Sequence, residues 1–214
     1  MFNDIKRALV LAPHTDDGEL GLGGTISLLV ENSVEVTYVA FSTARQSVPE
    51  GFPSNILSYE VKEATRSLGI DEKNLIILDY EVRKLNFFRQ DILEDLIKIR
   101  NQKDYDIVFV PSSDDVHQDH KTICQEGYRA FKTKTILGYE LIWNNKQFRV
   151  DCAFELSKEN LNKKIEALTH YKSQGRRNYL SSEFIRSLAV TRGVQFGFEY
   201  AEVFEVLRLI VRNK

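Results

Sequence analysis

The sequence predicts an α/β protein with a mainly parallel sheet in a single domain, and three observations carry that reading. Short runs rich in Val, Ile and Leu alternate with longer stretches whose apolar residues recur at helical spacing. The strand-like runs are nearly continuous in their apolar character, as expected of a sheet covered on both faces. A chain of 214 residues, 43% apolar and 28% charged, is long enough to bury one such core, so one domain over 1–214 is expected.

Taken in order, Ala8 to Leu11 is the first strand, and Leu20 to Glu31 the helix that follows it. Glu35 to Phe41 is the second strand. Ile56 to Leu68 reads as the next helix, with Gly69 where a helix-terminating glycine belongs. Leu75 to Leu78, the helix Asp91 to Asn101 and the strand Ile107 to Val110 continue the alternation, and a further helix is entered after Val110. Beyond it, Ile136 to Trp143 and Ala153 to Leu156 read as strands, Lys158 to Tyr171 as a helix and Val203 to Val211 as a closing strand. The segment Tyr179 to Phe198, aromatic and basic, reads equally as a binding surface for an anionic partner or as a rim loop and a solvated helix, and Gly51 to Ser54 and Lys172 to Asn178 read as the most mobile loops. Right-handed crossovers collect the loops after the strand C-termini along one edge, where a site is expected.

A formal net charge of -2 removes the general attraction to phosphate backbones, so no nucleic-acid partner is expected. The two cysteines, Cys124 and Cys152, form no CxxC pair and read as buried, reduced thiols. No stretch approaches the roughly 18 to 20 apolar residues that span a bilayer, and the opening MFNDIKRALVLAP is too briefly apolar for a secretory leader. A cytoplasmic protein is expected, with homo-oligomerisation left open.

Two segments carry chemistry. PHTDDGELGLGGT, Pro13 to Thr25, places an imidazole and two carboxylates in the first strand-to-helix turn. One Asp there can cap a helix; the full set has no packing reason. PSSDDVHQDHKT, Pro111 to Thr122, places carboxylates and two histidines after the fourth strand. His117 and His120 are three apart, so they share a face if the helix has begun. A divalent catalytic metal takes imidazole nitrogen and carboxylate oxygen at about 2.0 to 2.2 Å and keeps one position open for water. His14, Asp17 and His120 meet that requirement, and Asp16 is the candidate general base beside them. Among the flanking carboxylates Asp114, Asp115 and Asp119, the last is the best candidate for orienting a ligand imidazole.

These segments resemble the PIG-L or LmbE-like zinc de-N-acetylases, which carry an AHPDDE-type motif after the first strand and a later HxxH. ALTHYKSQ, Ala167 to Gln174, and YAEVF, Tyr200 to Phe204, are similar to that family's downstream blocks. The resemblance implies a Rossmann-like three-layer fold and removal of an acetyl group from an amino sugar or GlcNAc conjugate. It also implies zinc on His14, Asp17 and His120, with Fe2+ the alternative, Asp16 as base, and His117 stabilising the oxyanion or acting as acid. Three features depart from the family pattern: Thr15 for the usual Pro, Gly18 then Glu19 for the Glu after the Asp pair, and FSTARQS, Phe41 to Ser47, after the second strand. The third makes the substrate-contacting loop unlike that of many relatives.

Gly21, Gly23 and Gly24 lie after the Asp pair and do not form GxGxxG, so they are expected to serve helix packing rather than a dinucleotide. Arg45 reads as a substrate contact or a solvated arginine, and His170 as a pocket or helix-end histidine. Two other classes fit part of the pattern. One is a non-haem Fe(II) enzyme using a two-histidine, one-carboxylate triad on a β-sandwich; the other is a non-catalytic sugar- or nucleotide-binding module on the same fold.

Overall fold

A computed structural model describes residues 5–211 of the chain; the leader argument drawn from the first residues therefore lies partly outside them. Within that range the protein is one α/β domain. Its strands are β1 (Arg7–His14), β2 (Glu35–Ser42), β3 (Leu75–Ile77), β4 (Ile107–Pro111), β5 (Thr135–Tyr139), β6 (Cys152–Leu156) and β7 (Tyr200–Arg208). The helices are α1 (Asp17–Glu31), α2 (Ile56–Ser67), α3 (Arg89–Gln102), α4 (Gln118–Ala130), α5 (Lys158–Thr169) and α6 (Ser182–Phe196). The seven strands lie in the order β3-β2-β1-β4-β5-β7-β6. β3 to β5 are parallel and the last two pairings antiparallel, so the β-sandwich of the Fe(II)-enzyme alternative is absent.

Alternation along the central strands divides the core into two layers. Ala8, Val10 and Ala12 of β1 join residues of α1, α2, α5 and α6 on one face, whereas Leu9 and Leu11 join residues of α3 and α4 on the other. Strand side chains point to opposite faces in turn, and both faces here are covered, which is why these runs are continuously apolar.

Order reverses at β1, which has β2 on one side and, on the other, β4, which begins only at Ile107, far along the chain from the end of β1 at His14. In open parallel sheets, ligands sit outside the strand C-termini at such a reversal. Both motif loops emerge there, one from β1 and one from β4.

Several predicted elements differ in extent, β1 among them, which runs from Arg7 to His14 rather than from Ala8 to Leu11. β5 stops at Tyr139 rather than Trp143, because the chain turns back through Leu141 to Asn145, where Asn144 N donates to Leu141 O at 2.8 Å. α5 stops at Thr169 rather than Tyr171, because Tyr171 leaves helical geometry to send its hydroxyl into the core. β7 begins at Tyr200 and ends at Arg208, shifted from Val203 to Val211, because Tyr200 and Ala201 already pair with Leu156 and Glu155 of β6. α6 is the solvated helix expected before it, with Ile185, Ala189 and Gly193 buried at a spacing of four, a narrow inward stripe.

α1 starts at Asp17, a turn earlier than its apolar period suggests, and breaks from helical geometry at Leu22. Gly21 lies against the Tyr139 ring, where a Cβ would come within 2.3 Å, so its neighbourhood serves close packing as expected. No helix among the described residues is long and apolar enough to cross a membrane. Both cysteines are free, Cys124 buried and Cys152 only half-buried.

Candidate metal centre

β1 delivers His14 as its last residue, and the turn Thr15–Asp16 leads directly into α1. Asp17 Oδ2 accepts the His14 backbone N–H at 2.8 Å, closing that turn. Asp16 occupies the N-cap position but its side chain caps nothing, so the expectation that capping accounts for one Asp does not apply to it. Across the reversal point, β4 delivers the loop that ends in His117. This residue is the N-cap of α4, in extended geometry, and its Nδ1 accepts the Asp119 N–H at 3.2 Å. The shared helix face expected for His117 and His120 is therefore not how they meet: His117 stands just outside the helix and His120 inside it, with ring centroids 4.6 Å apart.

The three imidazoles of His14, His117 and His120 each offer a nitrogen within 4.8 Å of the others. A tighter set replaces His117 with Asp17. His14 Nδ1 is 3.0 Å from Asp17 Oδ2, His120 Nε2 is 3.3 Å from the same oxygen, and the two nitrogens are 3.3 Å apart. Edges of that length suit donors about 2.0 to 2.2 Å from one shared divalent ion. The other ring nitrogens argue the same way. His14 Nε2 meets Asp119 Oδ2 at 3.0 Å and His120 Nδ1 meets Asp115 Oδ2 at 2.7 Å. Donating there leaves the inward lone pairs free, the arrangement in which protein imidazoles hold metals. Two imidazoles and one carboxylate suit zinc or ferrous iron rather than the all-oxygen shells of calcium and magnesium.

Asp119 and Asp115 thus each hold one imidazole of the triangle, whereas Asp114 donates its N–H to Ser112 Oγ. Asp119 is held in turn by the backbone N–H groups of Arg83 and Leu85 at 2.6 and 3.2 Å, and Arg83 adopts a left-handed φ of 67° to reach it. Asp115 also accepts the His117 N–H at 2.8 Å. Asp115→Asn is expected to weaken metal affinity about 10- to 100-fold, measured by competition with a chromophoric chelator; unchanged affinity would show that the 2.7 Å contact does not set the ring.

Electrostatics follow from burial and sign. Burial pulls the His14 and His120 imidazoles down, but Asp17 and the carboxylates behind the rings outweigh it, lifting His14 to about 9 and His120 to about 10. Asp17 is held well below the usual carboxylate range, because His120 and His14 overcome its burial. Asp16 moves the other way: burial and the neighbouring Asp17 raise it to about 6. Burial, with His120 and His14, pushes His117 down to about 4, a neutral imidazole.

Under the motif turn lies a device that sequence reading did not find. Glu19 is fully buried; Tyr38 OH donates to it, and Tyr171 OH lies 2.9 Å from its Oε1 while reaching Thr15 O at 2.7 Å. Burial raises Glu19 to about 8, so it carries the proton that completes this chain of bonds. Gly18 N donates to Tyr38 OH at 3.1 Å, and a Cβ on Gly18 would come within 2.4 Å of the Tyr38 ring. The departure from a Glu at position 18 is thus explained: Tyr38 fills that space. Nothing in the spacing of the apolar residues marks Tyr38 or Tyr171, since both look like core positions.

Arg45 pairs with Asp79 at 3.2 Å, both exposed. His170 caps α5 and is not among the clustered imidazoles.

The GlcNAc-PI de-N-acetylase (PIG-L) family model matches residues 9–131, more than half of the chain, from β1 through α4. The diacetylchitobiose deacetylase of Thermococcus kodakarensis is 28% identical over 128 residues, which is 56% of this chain and 47% of that one; the match spans about half the length of that relative. An uncharacterised deacetylase of Escherichia coli K12, YaiS, is 28% identical over 177 residues, covering 80% of this chain and 93% of its own. The solved N,N'-diacetylchitobiose deacetylase of Pyrococcus horikoshii superposes with a TM-score of 0.81 at 23% identity, covering 96% of this chain and 85% of that one, which shows the same fold. With the two motifs at the reversal point and a family match that contains every residue of the donor triangle, the chain belongs to the GlcNAc-PI de-N-acetylase (PIG-L) family of deacetylases.

Proposed function

We propose that the protein is a metal-dependent hydrolase removing the acetyl group from an N-acetylated amino sugar or GlcNAc conjugate, with Zn2+, or alternatively Fe2+, on His14, Asp17 and His120. The observation that carries this is the donor triangle, whose imidazoles are each locked by a carboxylate while Asp16 stands beside it with no ligand or capping duty. A divalent metal bound there supplies Lewis acidity, lowering the pKa of water towards roughly 7 and polarising an amide carbonyl.

The protein's own groups do the rest. Asp16 takes a proton from the water that attacks the carbonyl carbon, and returns it to the amide nitrogen as the C–N bond breaks, so that acetate and the free amine leave. His117 has Nδ1 occupied by the Asp119 N–H, which leaves its proton on Nε2. As a neutral donor it steadies the carbonyl oxygen as charge develops there. The choice of substrate draws on the relatives, among them enzymes that deacetylate diacetylchitobiose.

Acetate release from N,N'-diacetylchitobiose and N-acetylglucosamine, assayed on protein of measured zinc and iron content, tests the reading. Acetate in proportion to bound metal is the expected result. Metal without acetate from any N-acetyl sugar would remove the substrate assignment, and failure to bind metal after reconstitution would remove the mechanism.

A further inference from the structure

The chemistry above leaves the loop after β5 without a task, yet that loop is built against the site. Leu141 to Asn145 folds over the segment carrying His117. Val116 N donates to Asn144 O at 3.0 Å, Asp115 and Asn145 form an isolated bridge, and Leu141 N donates to Asn145 Oδ1 at 3.0 Å. Trp143 is thereby held in a loop bonded to the segment next to His117. Its indole stacks on Tyr179, with centroids 4.1 Å apart and planes 9° from parallel. Tyr179 arrives from the opposite wall, two residues beyond Arg177, whose guanidinium donates to the Tyr179 hydroxyl and lies 5.7 Å from the ring centre.

A stacked aromatic pair spanning two loops, one of them bonded to the segment that carries His117, differs from a core contact in one measurable way. Tyr38, Tyr139, Tyr171, Phe109 and Phe204 are at most 1% exposed, whereas Trp143 keeps 38%, with Val116 at 46% and Ile142 at 41% beside it. Trp143 has therefore given one face to Tyr179, has the tilted Phe184 ring 6.1 Å away, and keeps the remaining 38% of its surface open. Flat aromatic surface with a few polar groups around it suits the apolar C–H face of a pyranose, which needs broad contact and little directionality.

We propose that Trp143 and Tyr179 form a stacking platform for the second sugar ring of the substrate, the unit joined to the acetylated one. Resting on the amino-sugar reading above, this makes Trp143 a specificity-determining residue and predicts preference for a disaccharide over a monosaccharide.

Trp143 is the sole tryptophan in the chain, so its emission reports on the platform independently of turnover. Titration of the metal-loaded enzyme with N,N'-diacetylchitobiose is expected to give a saturable change in that emission, and N-acetylglucosamine at the same concentration none. Deacetylation leaves the disaccharide linkage intact, so catalysis does not obscure the signal. In kinetics, Trp143→Ala is expected to lower kcat/KM for the disaccharide at least tenfold more than for the monosaccharide, and Trp143→Phe to restore most of the difference. Unchanged emission at saturating disaccharide, or equal losses on the two substrates, would overturn the platform. Absence of acetate from both sugars, by contrast, would overturn the proposed reaction while the titration still decides the platform.

Discussion

Asp16→Asn is expected to lower kcat for acetate release about 10²- to 10⁴-fold while leaving one metal ion per chain. The argument rests on what Asp16 does not do. It makes no side-chain cap to α1, and the donor triangle is complete without it. Asn keeps the shape and removes only the ability to accept a proton. The pH dependence has a definite sign. Burial and Asp17 push Asp16 up to about 6; below that pH the carboxyl is protonated and cannot take a proton from water, and above it the base is available. Wild-type kcat/KM is therefore expected to rise through about pH 6, and the Asn variant to lose that limb. Turnover near the wild-type rate, measured as acetate release alongside metal analysis, would remove Asp16 from the mechanism.

His120→Ala should have the second large effect, on metal content and activity together. It removes one corner of the triangle and the partner of two carboxylates. Asp115, 1% exposed, loses a 2.7 Å bond, and Asp17, 5% exposed, loses a 3.3 Å one. Breaking a buried pair by deleting one member costs about 3 to 5 kcal/mol, because the charge left behind stays out of water. Metal per chain is expected to fall from one towards zero, acetate release with it, and the midpoint of denaturant unfolding to drop. A variant that retained stoichiometric metal and activity would show that another residue, His117 being the nearest imidazole, completes the site.

What the sequence made legible follows from how unusual each signal is. The strands of the central sheet stand out because a surface covered on both faces leaves no polar alternation, as in Ala8 to Leu11 and Ile107 to Val110. The motif residues stand out because imidazoles and paired carboxylates have no packing reason to occupy strand-end turns. Geometry that depends on neighbours was harder to read. Whether His117 opens α4 or lies within it turns on a single cap. The overrun at Ile136 to Trp143 arose because an apolar run does not say whether it lies in the sheet or lines a cleft. Glu19 could be noticed only as an oddity of the motif, since its partners Tyr38 and Tyr171 come from positions 19 and 152 residues away.

The reversal of strand order at β1 also bears on when the site comes into being. His14 and His120 are 106 residues apart in the chain yet 3.3 Å apart in space. A nascent chain that has made β1 and β2 holds only two of the three donors, and no early hairpin or local helix brings the third. Contacts so distant along the chain form only after the loop between them has been closed, which costs entropy that local structure does not return. An ion held by the proposed donors would thus be no nucleus around which the domain assembles. It would be captured by a sheet already complete through β4 and α4, as a seal on finished architecture.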